Sequence, residues 1–191
     1  MKYVMKLLMV TVGLILSSYS GTYSTVEEPN SKFTDPDEFP VPRNVPGLLF
    51  YIQRDPNENT ICYQLNLDRQ GKLSTKDPVN MFWIRYTDGG VRRELNYIQR
   101  KFAYGINVKE KGDSSYELRS VAYNKLPLSL RKDPRNEYHV YTHINKKECI
   151  LSRVFIRIDG GTFWSPNVVF IELKGTEIAT GKTITQRIKP S

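Results

Sequence analysis

Period-two alternation recurs along most of this 191-residue chain, and it constrains the fold more than any other feature. A strand turns successive side chains to opposite faces, so alternating apolar and polar residues mark a half-buried strand. Ile61, Tyr63, Leu65 and Leu67 form one such stripe. Others are Tyr116, Leu118 and Ser120; Tyr138, Val140, Thr142 and Ile144; Val154, Ile156 and Ile158; and Val169, Ile171 and Leu173. Ile84 and Tyr86 share a face beside Trp83, and residues 48–52 are continuously apolar, as in a central strand. Asn57-Glu58-Asn59 and Asp159-Gly160-Gly161 read as turns, and Thr180-Gly181-Lys182 as a hairpin tip between 168–178 and 183–188. Leu126, Leu128 and Leu130 also alternate, but Pro127 predicts an edge strand or a loop there.

One segment has a different period. Val91, Leu95, Ile98 and Phe102 follow i, i+4, i+7, i+11 spacing, which predicts an amphipathic helix near 91–104. Asp88-Gly89-Gly90 precedes it as a turn, and Gly105 is the expected C-cap. The expected architecture is mostly β (α+β). It is an antiparallel β-sandwich or partly closed β-barrel of about 8–10 strands, with that one helix packed across it. The tetrapeptide Tyr-Ile-Gln-Arg occurs at 51–54 and at 97–100, once in a strand pattern and once in a helix pattern, so it is not read as a repeat.

Residues 1–20 have the layout of a secretory signal peptide: Lys2 and Lys6, a short apolar run at 7–16, then Ser17, Ser18 and Ser20 before Gly21. The run is too short to cross a bilayer, which needs about 20 apolar residues. Residues 21–38 lack a sustained period and read as a flexible linker. Phe39-Pro40-Val41-Pro42 then begins a single β-rich domain spanning 39–191. The expected localisation is therefore exported, periplasmic or extracellular, with no transmembrane segment in the mature chain.

Export changes the meaning of the basic charge. The formal charge is +8, and loss of Lys2 and Lys6 lowers it to +6 (8 − 2). Outside the cytoplasm, nucleic acid is not the expected partner. Anionic glycan, a lipid head group or an acidic envelope protein fits better. Cys62 and Cys149 are the two cysteines. An oxidising compartment admits a disulfide, worth about 4 kcal/mol for so long a loop, and equally admits two buried free thiols.

Catalytic signatures are absent. The chain has no phosphate-binding glycine loop, nucleophile elbow or paired Cys-x-x-Cys. His139 and His143 lie about 13 Å apart on one strand, too far to chelate together, so neither a metal nor a cofactor is expected. Asp88, Asp159, Glu172 and Glu177 are the carboxylates considered for glycoside hydrolysis, but no spacing selects a pair. The binding candidates are Arg92, Arg93, Tyr97 and Arg100 on the expected helix, with Trp83 and Trp164. Guanidinium forks suit carboxylates and phosphates, and aromatic rings at a sheet rim are common in ligand sites.

Phe39-Pro40-Val41-Pro42, Leu49-Phe50-Tyr51-Ile52-Gln53-Arg54 and Phe82-Trp83-Ile84-Arg85-Tyr86 are distinctive blocks, as is Arg92-Arg93-Glu94-Leu95-Asn96-Tyr97-Ile98-Gln99-Arg100. On these blocks the chain resembles an uncharacterised family of exported bacterial proteins, domain of unknown function 4833. That resemblance implies no activity and no catalytic residues. The leading functional expectation is a non-catalytic cell-envelope or ligand-binding module. The alternatives are an envelope hydrolase acting through carboxylates and a structural subunit of an envelope assembly.

Overall fold

The structure, a computed structural model, describes residues 35–162 and 165–189. The expected signal peptide, most of the expected linker and Trp164 lie outside the described residues. Eleven strands form one sheet that curls into a half-barrel: β1 (Leu48–Asp55), β2 (Asn57–Leu65), β3 (Val79–Arg85), β4 (Val91–Glu94), β5 (Ile106–Gly112), β6 (Ser115–Ser120), β7 (Leu128–Lys132), β8 (Tyr138–Ile144), β9 (Lys147–Gly161), β10 (Pro166–Glu177) and β11 (Thr183–Ile188). A short helix, α1 (Tyr97–Gln99), continues as a π-helical turn over Arg100–Tyr104.

The curl originates at β9. Its first residues pair with β8 (Thr142↔Cys149), and later ones pair in parallel with β1 (Tyr51↔Arg153). Its other edge carries β10 along both parts (Thr176↔Ile150, Lys174↔Arg153). The sheet therefore forks into one wing of β1 to β4 and another of β5 to β8. Strand twist folds the wings toward each other over the main core. That core includes Phe50, Ile61 and Tyr63 from one wing, Leu118, Leu130 and Val140 from the other, and Leu151 and Leu173 from the spine.

A strap of residues 35–46 covers the opposite face of β1, β9 and β10. Phe39 is buried and meets Phe155 edge-on, with ring centroids 5.1 Å apart. Beneath the strap lie Gln53, Arg153 and Glu172, all buried. Gln53 Nε2 donates to Pro40 O at 2.7 Å, and Arg153 Nη1 donates to Pro36 O at 2.9 Å. The strap thus supplies acceptors to polar side chains whose burial would otherwise be costly.

Asn57-Glu58-Asn59 and Asp159-Gly160-Gly161, expected as turns, lie within β2 and β9. Three further sequence expectations need correction. The helix is shorter than 91–104, because Gly89 and Gly90 adopt φ of 78° and 82° and turn 91–94 back onto β3 (Arg85↔Val91, Phe82↔Glu94). The helix starts only at Asn96, where Asn96 Oδ1 accepts from the Gln99 N–H and Gln99 Oε1 accepts from the Asn96 N–H. Leu95 alone of the expected stripe is buried, while Val91, Ile98 and Phe102 stay exposed. Second, Gly105 is extended (φ −66°, ψ 160°) and not a left-handed cap; it is glycine because a Cβ would come 1.8 Å from Arg100 O. Third, the strand after Pro127 is interior: β7 pairs with both β6 and β8, and the proline sits just before it. Of the two states left open for the cysteines, the structure has the buried free thiols. Cys62 packs with Phe82 and Ile84 in a small cluster, whereas Cys149 belongs to the main core. The tetrapeptide takes two structures as expected, strand in β1 and helix at α1. The hairpin tip at Gly181 is also as expected, closed by its N–H to Glu177 O at 2.8 Å.

Candidate functional site

The two wings leave an open cleft of about 740 Å³ between them. Leu65 ends β2, and Leu67 and Leu73 bridge to each other in the loop after it. Tyr116 of β6 and Tyr138 of β8 face them from the other wing, with Lys72, Lys132 and Glu137 also on the lining. The volume lies in the range of small-molecule sites, which are mostly apolar with a few placed polar groups. Burial raises the Tyr116 hydroxyl pKa, so this ring presents a neutral phenol.

The β7–β8 turn forms part of that lining. Asp133 Oδ1 accepts from the N–H groups of Arg135 and Glu137, both at 2.9 Å, and Asn136 supplies the positive φ of 67° that closes the turn. These contacts, the Glu137 N–H first and the Arg135 side chain after it, hold the Asp133 carboxyl below the usual carboxylate range. Glu137 immediately precedes β8 and His139 is its second residue, so the two lie two residues apart along the chain. His139 Nε2 lies 3.6 Å from Asp133 Oδ2 and 3.9 Å from Glu137 Oε2. That nitrogen is buried and makes no hydrogen bond. The ligand atoms of the three residues all lie within 4.8 Å of one another. The Arg135 guanidinium also reaches this group, with Nε 3.2 Å from Asp133 Oδ2 and Nη2 3.6 Å from Glu137 Oε2.

The described binding candidates from the sequence, Trp83, Arg92, Arg93, Tyr97 and Arg100, do not line this cleft. Trp83 is buried, with its ring edge-on to Tyr104 at 5.2 Å and its Nε1 donating to Gln99 Oε1 at 3.3 Å. Arg92 and Arg93 are adjacent on β4 and so project to opposite faces; Arg92 lies over the Phe82 ring at 3.6 Å. Arg100 donates to Leu95 O, Met81 O and Glu94 Oε2. Tyr97 is 70 % exposed, with Lys101 Nζ 5.3 Å from its ring centroid. Three of the four considered carboxylates are held by structural contacts: Asp88 by Arg85, Glu172 by Arg153 and Arg187, and Glu177 by Lys147 and Thr180, while Asp159 lies near the end of β9. His143 lines a separate depression with Tyr141 and Glu148. Sequence reading missed Asp133 and Glu137. The available signal was the turn-forming run Asp133-Pro134-Arg135-Asn136 with Glu137 and His139 at strand spacing after it.

Fold and cleft together define a mostly β, curled half-barrel with a ligand-sized opening between its wings. The chain matches the model of Domain of unknown function (DUF4833) over residues 50–187 and belongs to that family. No curated protein and no solved structure matches it. Among the described residues no helix is long and apolar enough to cross a membrane.

Proposed function

We propose that this protein is an exported, non-catalytic module that binds a small amphipathic anion in the cleft between its wings. The cleft is the observation that carries the reading. Leu65, Leu67 and Leu73 offer an apolar wall, and Lys72 and Lys132 offer positive charge beside it. An apolar body with an anionic end satisfies both. The basic balance of the chain favours the same sign of ligand. Glu172 and Glu177, the buried members of the considered carboxylates, are held by cationic partners and lie outside the cleft lining, which supports binding over hydrolysis.

Titration with the anionic fluorophore 1-anilinonaphthalene-8-sulfonate, followed by displacement with dodecanoate, tests this reading. One saturable site emptied by dodecanoate is expected. A linear, unsaturable response would overturn it. The export component rests on residues 1–20 and is tested by sequencing the N-terminus of protein made in a bacterial host. A chain starting at Gly21 is expected, and a cytosolic chain retaining Met1 would contradict it.

A second reading draws on a different surface. Tyr97, Ile98 and Phe102 are 70 %, 46 % and 51 % exposed on and beside α1. Grouped apolar exposure of this kind suits attachment to a neighbouring subunit. A monodisperse monomer at high concentration, unaltered by Phe102→Ser, would remove self-assembly through this patch.

A further inference from the structure

We propose that Asp133, Glu137 and His139 form a site for a divalent transition-metal cation, zinc being the best match, on the wall of the cleft. The site goes beyond the amphiphile reading and stands or falls separately, since the cation is titrated alone.

Three features point to a cation. The first is spacing. Two donors bound to one zinc ion at about 2.0–2.1 Å, with tetrahedral angles, sit roughly 3.3 Å apart. His139 Nε2 is already 3.6 Å from Asp133 Oδ2 and 3.9 Å from Glu137 Oε2, so small side-chain rotations close the set. The second is the buried His139 Nε2, which faces two carboxylates without making a hydrogen bond. Once it carries no proton, that nitrogen offers a lone pair, which a metal ion would use. The third is the support behind the ligands. Asp133 Oδ1 is fixed by two backbone N–H groups, which leaves Oδ2 aimed at the histidine. Such outer hydrogen bonds are what orient a ligating carboxylate.

The donor set also chooses among cations. One imidazole and two carboxylates suit zinc and its first-row neighbours, whereas calcium takes six to eight oxygens. Three protein donors leave a fourth zinc position for water or for an anionic group of a molecule in the cleft, whose lining includes Glu137 and His139. Arg135 is the competitor. Its guanidinium sits against both carboxylates, but its side chain is 78 % exposed and is free to swing into water when a dication arrives.

Isothermal titration of the full chain with zinc chloride, in a tag-free preparation, tests the site. One saturable equivalent is expected. Asp133→Asn (which keeps an acceptor for the turn), Glu137→Gln and His139→Phe should each weaken it at least tenfold. His143→Ala, which removes the only other histidine, should leave it unchanged. Arg135→Ala should tighten binding severalfold. Cobalt substitution supplies an independent readout: visible ligand-field absorption that disappears in His139→Phe, with far-ultraviolet circular dichroism confirming that the variant is folded. No saturable heat in the native chain would overturn the proposal. So would binding that survives all three ligand substitutions, binding lost equally in His143→Ala, or calcium binding that ignores His139→Phe.

Discussion

Arg153 and Glu172 form an ion pair at 2.9 Å whose side chains are only 3 % and 8 % exposed. The pair is completed from both sides. Glu172 Oε2 accepts from Arg187 Nε at 2.8 Å, while Arg153 Nη1 reaches Pro36 O and Asp37 Oδ1. Removing one member of a buried pair strands the other charge, whereas replacing both with apolar groups of similar size is far less costly. Glu172→Gln is therefore expected to destabilise the fold by about 3 kcal/mol, the lower end of the usual range because Asp37 still faces Arg153. Urea denaturation checks it. Arg153→Met with Glu172→Met should lose less stability than either single substitution, and simple additivity would contradict the coupling.

Phe39 anchors the strap across the outer face of β1, β9 and β10. It is 2 % exposed and packs against Phe155. Phe39→Ala should cost about 3 kcal/mol through lost burial and the cavity left behind. It should also expose the polar groups beneath, so hydrogen exchange at Gln53 and Arg153 should rise relative to exchange at Leu118 in the other wing. Uniform acceleration in both wings would mean that the strap is not a local clamp.

The acid-side stability should follow a few carboxylates. Lys111 first, then Arg119, hold the Glu117 carboxyl down at a pKa of about 2, against an ordinary 4.5. Lys174 chiefly, with Arg153, holds the Asp37 carboxyl below the usual carboxylate range. A depressed folded-state pKa means that the native state resists protonation more than the unfolded chain does. Its stabilising contribution is therefore complete above the unfolded pKa and disappears as pH falls through the folded one. Thermal midpoints should hold steady from neutrality to about pH 5 and then decline toward pH 2. Glu117→Gln should flatten part of that decline between 4.5 and about 2. An unchanged slope would show that Lys111 and Arg119 do not act on Glu117 in solution.

Both thiols should be free yet slow to react. Cys62 is fully buried, and burial pushes its thiol up to about 12; burial likewise raises Cys149. Thiolate is the reactive form, so alkylation of the native protein at pH 8 should be slow. In denaturant, without reductant, two adducts should appear by mass. A chain taking up none would mean that the cysteines are bridged.

Most strands are legible in the sequence because alternation reports a local property, the two faces of one strand. Tyr138, Val140 and Ile144 do face the core, as do Ile61 and Tyr63. The fork at β9 is not legible. Cys149 and Arg153 belong to one continuous strand, yet one pairs antiparallel with Thr142 and the other parallel with Tyr51, a choice made by neighbours far away in the chain. Burial on the outer face is hidden for a related reason. Gln53, Arg153 and Glu172 alternate with apolar residues and read as a solvent face until the strap covers them. The false helix start has a simpler cause. Val91 and Leu95 have helical spacing by coincidence, and the Gly89-Gly90 turn with the open edge of β3 outweighs it. The cleft escaped notice because Leu67 and Tyr138 come to line one opening only when the wings curl together.

The central claim is that the cleft between the wings is where this protein binds its ligand. Leu67 tests it most directly, because it lines the cleft while being 46 % exposed, so a polar substitution there should not unfold the chain. Parallel titrations of the native protein and Leu67→Asp with 1-anilinonaphthalene-8-sulfonate, with thermal midpoints recorded for both, supply the measurement. The account predicts saturable binding to the native protein and affinity at least tenfold weaker in the variant at an unchanged midpoint. Equal affinity in the two proteins would contradict it.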